Sequence, residues 1–338
     1  MSNIFILGSG GFGCAIAVMC DKMEHAVTVW SPFEEEIATL KKDGEHKKLL
    51  SGVALSPKIN MTTSFDTISE SELVIFAVPS FAVRSTAKLL SGKISKSTVV
   101  ANVAKGLEAN TYLRLSQVIA EELPDNKIVA LSGPSHAEEV GRGLATTMVS
   151  GSADISAAQF VQDALMNSNL RIYTSNDVVG VELGATIKNV IALSAGICDG
   201  TGLGDNAKAA LITRGITEMS RLGEALGANR ETFSGLTGIG DLVVTCTSMH
   251  SRNRRAGILI GQGKSPDDAL KETGTVEGYY AAKTVYELAK MHDVEMPICN
   301  ECYNILYKGK HPTDAIKDLM QRPKTHETER DLLRLENS

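Results

Sequence analysis

The chain has 338 residues, 43% of them hydrophobic and 22% charged, which fits a folded globular protein long enough for two domains. A formal net charge of −6 argues against a nucleic-acid-binding protein while leaving room for a local basic pocket. No apolar run approaches the roughly 20 residues of a membrane helix, and Met1-Ser2-Asn3 leads into a strand with no secretory leader, so a cytoplasmic protein without membrane insertion is expected.

Asn3 to Gly8 reads as a short buried strand, followed by Gly8-Ser9-Gly10-Gly11-Phe12-Gly13 and the helical stretch Cys14 to Cys20. Strand, glycines and helix in that order form a dinucleotide-binding fingerprint. Gly8 permits the tight turn, Gly10 lets a pyrophosphate reach the backbone, and Gly13 lets the helix lie against the strand. His25 to Trp30 is the second strand, and the residue at its end discriminates between cofactors: an acid pairs with the ribose of NAD, whereas a neutral or basic residue tolerates the phosphate of NADP. Ser31-Pro32-Phe33 occupies that place, with Glu34, Glu35 and Glu36 following on the first turn of a helix. The missing acid leans towards NADP tolerance, and the missing Arg or Lys keeps NAD open.

Further strands are expected at 73–78, 98–101, 127–131, 146–149 and 170–173, with helical stretches between several of them. That alternation predicts an α/β fold: an N-terminal Rossmann-type domain over 1–175 with a mainly parallel sheet, and ligands at the carboxyl ends of its strands. Three strand ends carry polar or glycine-rich sequence, at Pro79-Ser80-Phe81, Lys105-Gly106-Leu107-Glu108 and Ser132-Gly133-Pro134-Ser135-His136-Ala137. Each alone reads as a turn; together they rim one crevice.

After Ser175 the strand patterns stop, and an all-helical C-terminal domain is expected over 176–338. Its first helix places Gly180, Gly184, Lys188, Ala192 and Ala195 or Gly196 on one face, nearly bare of side chains except for one ammonium. Two readings stand: close helix packing with Lys188 snorkelling to water, or a helix whose backbone a ligand approaches and whose lysine is a tunable base. Gly235 to Asp241 reads as a glycine-dense turn ending in an acid, and Ser251-Arg252-Asn253-Arg254-Arg255 heads a helix that is either a solvated basic face or a phosphate grip. Six scattered cysteines suit a reducing compartment, and Cys299 and Cys302 read as two small core residues. No metal site is expected, and the charged tail over 321–338 reads as a partly solvated helix.

Ala77-Val-Pro-Ser80, Ala104-Lys-Gly-Leu-Glu108, Leu131-Ser-Gly-Pro-Ser135, Ile187-Lys-Asn-Val190, Gly204-Asp-Asn206, Leu211-Ile-Thr-Arg-Gly215, Gly238-Ile-Gly-Asp241, Ser251-Arg-Asn-Arg254 and Val276-Glu-Gly278 follow the glycine fingerprint in a single order. In these the chain resembles the bacterial NAD(P)-dependent glycerol-3-phosphate dehydrogenases, from Asn3 to about residue 324. The resemblance implies reversible conversion of sn-glycerol 3-phosphate to dihydroxyacetone phosphate with NAD or NADP as a dissociable cofactor, in the service of phospholipid synthesis, and it allows a homodimer. It further implies that Lys188 is the catalytic acid/base, and that Lys105, Gly133, Ser135, Asp241, Ser251, Arg252 and Asn253 line the substrate beside it. The cofactor is implied to meet Gly11, Phe12, Ala137, Val276 and Glu277, with Lys105 and Arg252 near both ligands. Three departures lie on the cofactor side: Ser31-Pro32-Phe33 where a basic residue is common, Leu49-Leu50-Ser51-Gly52 in place of a Tyr before Leu-Pro-Gly, and His136 in place of a Phe. Two other classes compete: a two-domain dehydrogenase of hydroxy or sugar acids, for which Ser251 to Arg254 would be superfluous, and a catalytically silent nicotinamide sensor, which would need no Lys188, Lys105 and Asp241 together.

Overall fold

The computed structural model describes residues 1–324, 326 and 327. In chain order the first region runs β1 (Asn3–Leu7), α1 (Gly11–Lys22), β2 (Ala26–Trp30), α2 (Glu34–Asp43), β3 (Glu45–His46), β4 (Leu50–Ala54), β5 (Asn60–Thr62), β6 (Leu73–Phe76), α3 (Val83–Leu90), β7 (Val99–Asn102), α4 (Leu115–Glu122), β8 (Lys127–Ser132), α5 (Ala137–Arg142), β9 (Thr146–Gly151), α6 (Ile155–Leu165) and β10 (Leu170–Ser175). Eight of these strands form one sheet in the order β10-β9-β8-β7-β6-β1-β2-β5, in which only β8 and β9 pair antiparallel. The mainly parallel sheet is therefore present, and its central strands β1, β6 and β7 are apolar on both faces because both are covered, whereas the edge strand β10 exposes Arg171 and Tyr173. Ile4 and Ile6 of β1 enter one core while Phe5 and Leu7 enter the other.

The strand order reverses between β1 and β6, the switch point at which an open α/β sheet leaves a crevice. The short hairpin of β3 and β4 stands apart from the sheet and folds over the start of α1, where a side chain on Gly11 would meet the Leu49 carbonyl at 2.6 Å.

The second region is helical: α7 (Val178–Gly200), α8 (Asp205–Ala225), α9 (Asp241–Thr247), α10 (Arg252–Gly261), α11 (Pro266–Thr273), α12 (Glu277–Met291), α13 (Pro297–Lys308) and α14 (Pro312–Met320). Asp177 caps α7 by accepting from the Gly180 N–H at 2.9 Å, and every residue from Gly180 to Cys198 is buried. With a mean hydropathy of 1.4 in its most apolar window, α7 is long and apolar enough to cross a membrane, contrary to the sequence-based expectation; 89% of that window lies inside the protein, as in the core helix of a globular fold. Cys299 and Cys302 are buried on α13 among apolar side chains, as expected of small core residues. Gln321 follows the end of α14, and most of the helix expected over 321–338 lies outside the described residues.

The glycines of α7 serve its packing. A Cβ on Gly180 would meet Thr232 at 2.8 Å, one on Gly184 the Thr237 carbonyl at 2.5 Å, and one on Gly196 the Arg254 carbonyl at 2.1 Å. Across the same seam a Cβ on Gly257 would meet the Leu193 carbonyl at 2.1 Å, so α7 and α10 touch backbone to backbone. The reading in which a ligand approaches these glycines is thereby overturned: protein already occupies the space. Replacing Gly196 by Ala should destabilise the fold by about 1–3 kcal/mol through overpacking, read as a lower denaturation midpoint at unchanged slope. An unchanged midpoint would mean that the two helices separate without cost.

Candidate active site

Lys188 lies halfway along α7 and is 4% exposed, so it does not snorkel to water. Its Nζ donates to Asp241 Oδ1 at 2.6 Å and to Thr245 Oγ1 at 2.7 Å. The other Asp241 oxygen accepts from Lys105 Nζ at 2.6 Å, and Lys105 also donates to the Gly133 carbonyl at 3.2 Å. One carboxylate, itself 1% exposed, thus bridges two ammonium groups from opposite regions of the chain. A buried ammonium without such a partner would lose its proton or leave the interior. Burial is the larger influence on Lys188; Asp241 opposes it, Lys105 adds to it, and the outcome is a pKa lowered to about 8. Burial also pushes the Asp241 carboxyl up, but Lys105 and Lys188 together hold it below the usual range.

Local sequence explains how these groups converge. Leu236–Gly240 forms a single π-helical turn rather than an open loop, tight enough that a Cβ on Gly238 would overlap the Phe233 carbonyl at 2.0 Å. It delivers Asp241 as the first residue of α9, and Thr245 one turn later on the same face. Gly133 follows β8 with φ +138°, where a side chain would be strained and would press on the Thr147 carbonyl at 2.9 Å. Ser135 Oγ donates to the Gly133 carbonyl at 2.9 Å, placing this hydroxyl beside the same acceptor that Lys105 uses.

The start of α10 adds cationic and polar groups. Ser251 caps the helix by accepting from the Arg254 N–H at 3.2 Å. Asn253 is buried and tied on both sides, its Nδ2 donating to Asn189 Oδ1 at 2.9 Å and its Oδ1 accepting from the Gly278 N–H at 2.8 Å. Arg254 is committed to Asp199, donating from Nε at 2.9 Å, which leaves the exposed Arg252 and Arg255 in the first turn of the helix. The charge of Arg252 reaches Glu277, whose carboxyl is pushed up by burial and held back by Ser80, which donates from Oγ at 2.7 Å. Val276 is buried at the cap of α12 immediately before it.

The crevice at the switch point has the shape of a dinucleotide cradle. A Cβ on Gly8 would strike the Ala77 carbonyl at 2.7 Å and one on Gly13 the Gly8 carbonyl at 2.1 Å, whereas Gly10 has open space beside it. No side chain caps the first turn of α1, leaving its N–H groups for an anion. Three buried polar atoms at strand ends lack a hydrogen bond, Ser9 Oγ after β1, Ser132 Oγ at the end of β8 and His136 Nε2 just beyond it. Burial, then Lys188 and Lys105, lowers the His136 pKa, so a neutral imidazole faces the cluster. The residues present thus fit a phosphate-bearing dinucleotide. Phe12 and Ala137 pack partly buried against the sheet core beside this opening, and Ser31 is buried at the end of β2. No group of three or more His, Cys, Asp or Glu that could hold a metal ion occurs among the described residues.

Sequence reasoning missed Thr245, although its spacing of four from Asp241 on an apolar helix was a usable sign. It named His136 only as a departure; the unpaired ring nitrogen requires the fold.

Two family models match the chain: the NAD-dependent glycerol-3-phosphate dehydrogenase N-terminus over residues 3–158 and the C-terminus of the same family over residues 177–317. A protein named glycerol-3-phosphate dehydrogenase [NAD(P)+] from Clostridium perfringens is 47% identical, over 97% of this chain and 99% of its own length. One of the same name from Moorella thermoacetica is 50% identical, over 97% and 98% respectively. The crystal structure of glycerol-3-phosphate dehydrogenase from Coxiella burnetii superposes with a TM-score of 0.91 at 34% identity, covering 95% of this chain and 99% of that one.

Asp241→Asn removes the charge that holds a proton on Lys188. The lysine pKa should then fall further below about 8, observable in a 13C titration of its Cε resonance. An unchanged midpoint would exclude Asp241 from control of that proton.

Proposed function

The chain belongs to the family of NAD(P)-dependent glycerol-3-phosphate dehydrogenases, and we propose that it interconverts sn-glycerol 3-phosphate and dihydroxyacetone phosphate with Lys188 managing the proton on the C2 oxygen. The nicotinamide, when bound, exchanges a hydride with the substrate C2. In oxidation the neutral amine of Lys188 accepts the C2 hydroxyl proton; in reduction its ammonium donates a proton to the forming alkoxide. The observation that carries this assignment is an ammonium 4% exposed, lowered to about 8 and bridged through Asp241 to Lys105. Desolvation alone would strip the proton and the Asp241 charge alone would fix it; their opposition leaves a group that can serve in both directions.

We assign the substrate phosphate to Arg252, Ser251 and the first N–H groups of α10, with the remaining Asn253 amide proton in support. Lys105, Gly133, Ser135 and Asp241 line the reacting end. We assign the dinucleotide to Gly8, Gly10, Gly11, Phe12, Gly13, Ser31, Ala137, Val276 and Glu277, with Lys105 and Arg252 between the two ligands. In this reading residues 1–175 and 176–338 are two domains with the reaction at their junction, the enzyme is cytoplasmic and supplies glycerol phosphate to phospholipid synthesis, and neither a metal nor a membrane takes part. A homodimer is compatible with it. A hydroxy-acid dehydrogenase accounts less well for a cationic helix start beside the lysine.

Lys188→Ala should lower kcat with dihydroxyacetone phosphate by about 10²–10⁴-fold while the fold and dinucleotide affinity persist. In the unaltered enzyme kcat/KM for glycerol phosphate oxidation should rise with pH through about 8, because the base form is needed, and that for ketone reduction should fall through the same region, because the acid form is needed. Near-normal turnover of the variant, or pH profiles of the same sign in both directions, would remove Lys188 from the proton transfer.

A further inference from the structure

The carboxyl end of β2 is where a Rossmann-type fold meets the adenosine ribose of a dinucleotide. In this chain that place holds Ser31, 2% exposed and without charge. Its hydroxyl is not free: Ser31 Oγ donates to Glu36 Oε2 at 2.8 Å and receives the Phe33 N–H at 3.4 Å. Glu36 follows five residues later in the first turn of α2, and the Ser31-Pro32-Phe33 bend brings its carboxylate back over the strand end. The carboxylate is also near the first turn of α1, since the Cys14 thiol there is pushed up to about 12 by its burial and then by the charge of Glu36. The Glu36 side chain is 33% exposed, so it is open to a ligand, and among the described residues the only basic side chain within ion-pair distance is the imidazole of His46, with Nε2 at 3.9 Å.

We infer that Glu36, held by Ser31, takes the place of the missing acid at the end of β2 and selects NAD over NADP. This rests on the dinucleotide reading given above. A ribose diol has two hydroxyls to donate, and a carboxylate is the acceptor that suits them. A 2′-phosphate brings acceptor oxygens and negative charge to the same spot, where no Lys or Arg approaches Glu36 within ion-pair distance among the described residues. Ser31 supports the discrimination indirectly, as a positioning residue that fixes the carboxylate by a hydrogen bond. On this inference the lean towards NADP drawn from the linear order Ser31-Pro32-Phe33 gives way to a preference for NAD.

The test is direct binding of NADH and of NADPH to the full chain without substrate, followed through dinucleotide fluorescence, for the unaltered protein and for Glu36→Gln. The amide keeps the size and an acceptor for Ser31 but carries no charge. The unaltered protein should bind NADH at least about tenfold more tightly than NADPH, and Glu36→Gln should erase most of that ratio, chiefly by tightening NADPH. Equal affinities in the unaltered protein, or a ratio that Glu36→Gln leaves unchanged, would overturn this inference and leave the proposed function standing. Binding of neither dinucleotide would overturn both. Tighter NADH binding by a protein that fails to reduce dihydroxyacetone phosphate would support the inference while contradicting the substrate assignment.

Discussion

An ammonium group kept inside a protein is the constraint on which this structure turns. Lys188 can stay buried because Asp241 meets it at 2.6 Å, and Asp241 can stay ionised at 1% exposure because Lys188 and Lys105 together meet its two oxygens. Neither half of the chain holds the complete set. Lys105 and its acceptor Gly133 come from strand ends of the sheet, whereas Lys188, Asp241 and Thr245 come from the helices. Electrostatic satisfaction of one site therefore joins the two regions, and it leaves the proton on Lys188 poised between opposing influences.

The helical seams give that arrangement its precision. Glycines at 196 and 257 let α7 and α10 meet at backbone distance, so the start of α10 with Ser251 and Arg252 is set against the helix that carries Lys188. Asn253 ties α10 to Asn189 on one side and to Gly278 on the other, and Gly278 follows Glu277, which binds Ser80 at a strand end. Farther along the junction, buried Glu182 of α7 accepts from Arg114, at 2.7 Å, and from the Ser116 N–H, at 2.8 Å, at the start of α4. A charged group beside reacting atoms loses its value if it drifts by an ångström, and these ties suppress such drift.

Much of this was legible in the sequence, and what was not has identifiable causes. The strands β1, β6 and β7 are buried along nearly their whole length and read as apolar runs, β10 alternates buried Leu170 and Ile172 with exposed Arg171 and Tyr173, and the Gly8 to Gly13 fingerprint sat in its proper context. By contrast β5 is three residues of edge strand, and the β3–β4 hairpin carries Ser51-Gly52 in its middle, so neither shows an apolar alternation. The antiparallel pairing of β8 with β9 is a matter of chain reversal, which composition does not encode. Lys188 stood out as a lysine among glycines, yet the reason for the glycines lay in other helices. Glu36 was passed over because linear distance from β2 is a poor guide to where a helix turns its first side chains.

Turnover of NADH and NADPH by the purified protein, offered dihydroxyacetone phosphate or unphosphorylated dihydroxyacetone, tests the central claim most directly. Rapid oxidation of the dinucleotide only with the phosphorylated ketone is the predicted result, since the start of α10 is assigned to grip the phosphate and hold C2 near Lys188. Protein that binds a dinucleotide and turns over neither ketone, or both equally, would contradict the account.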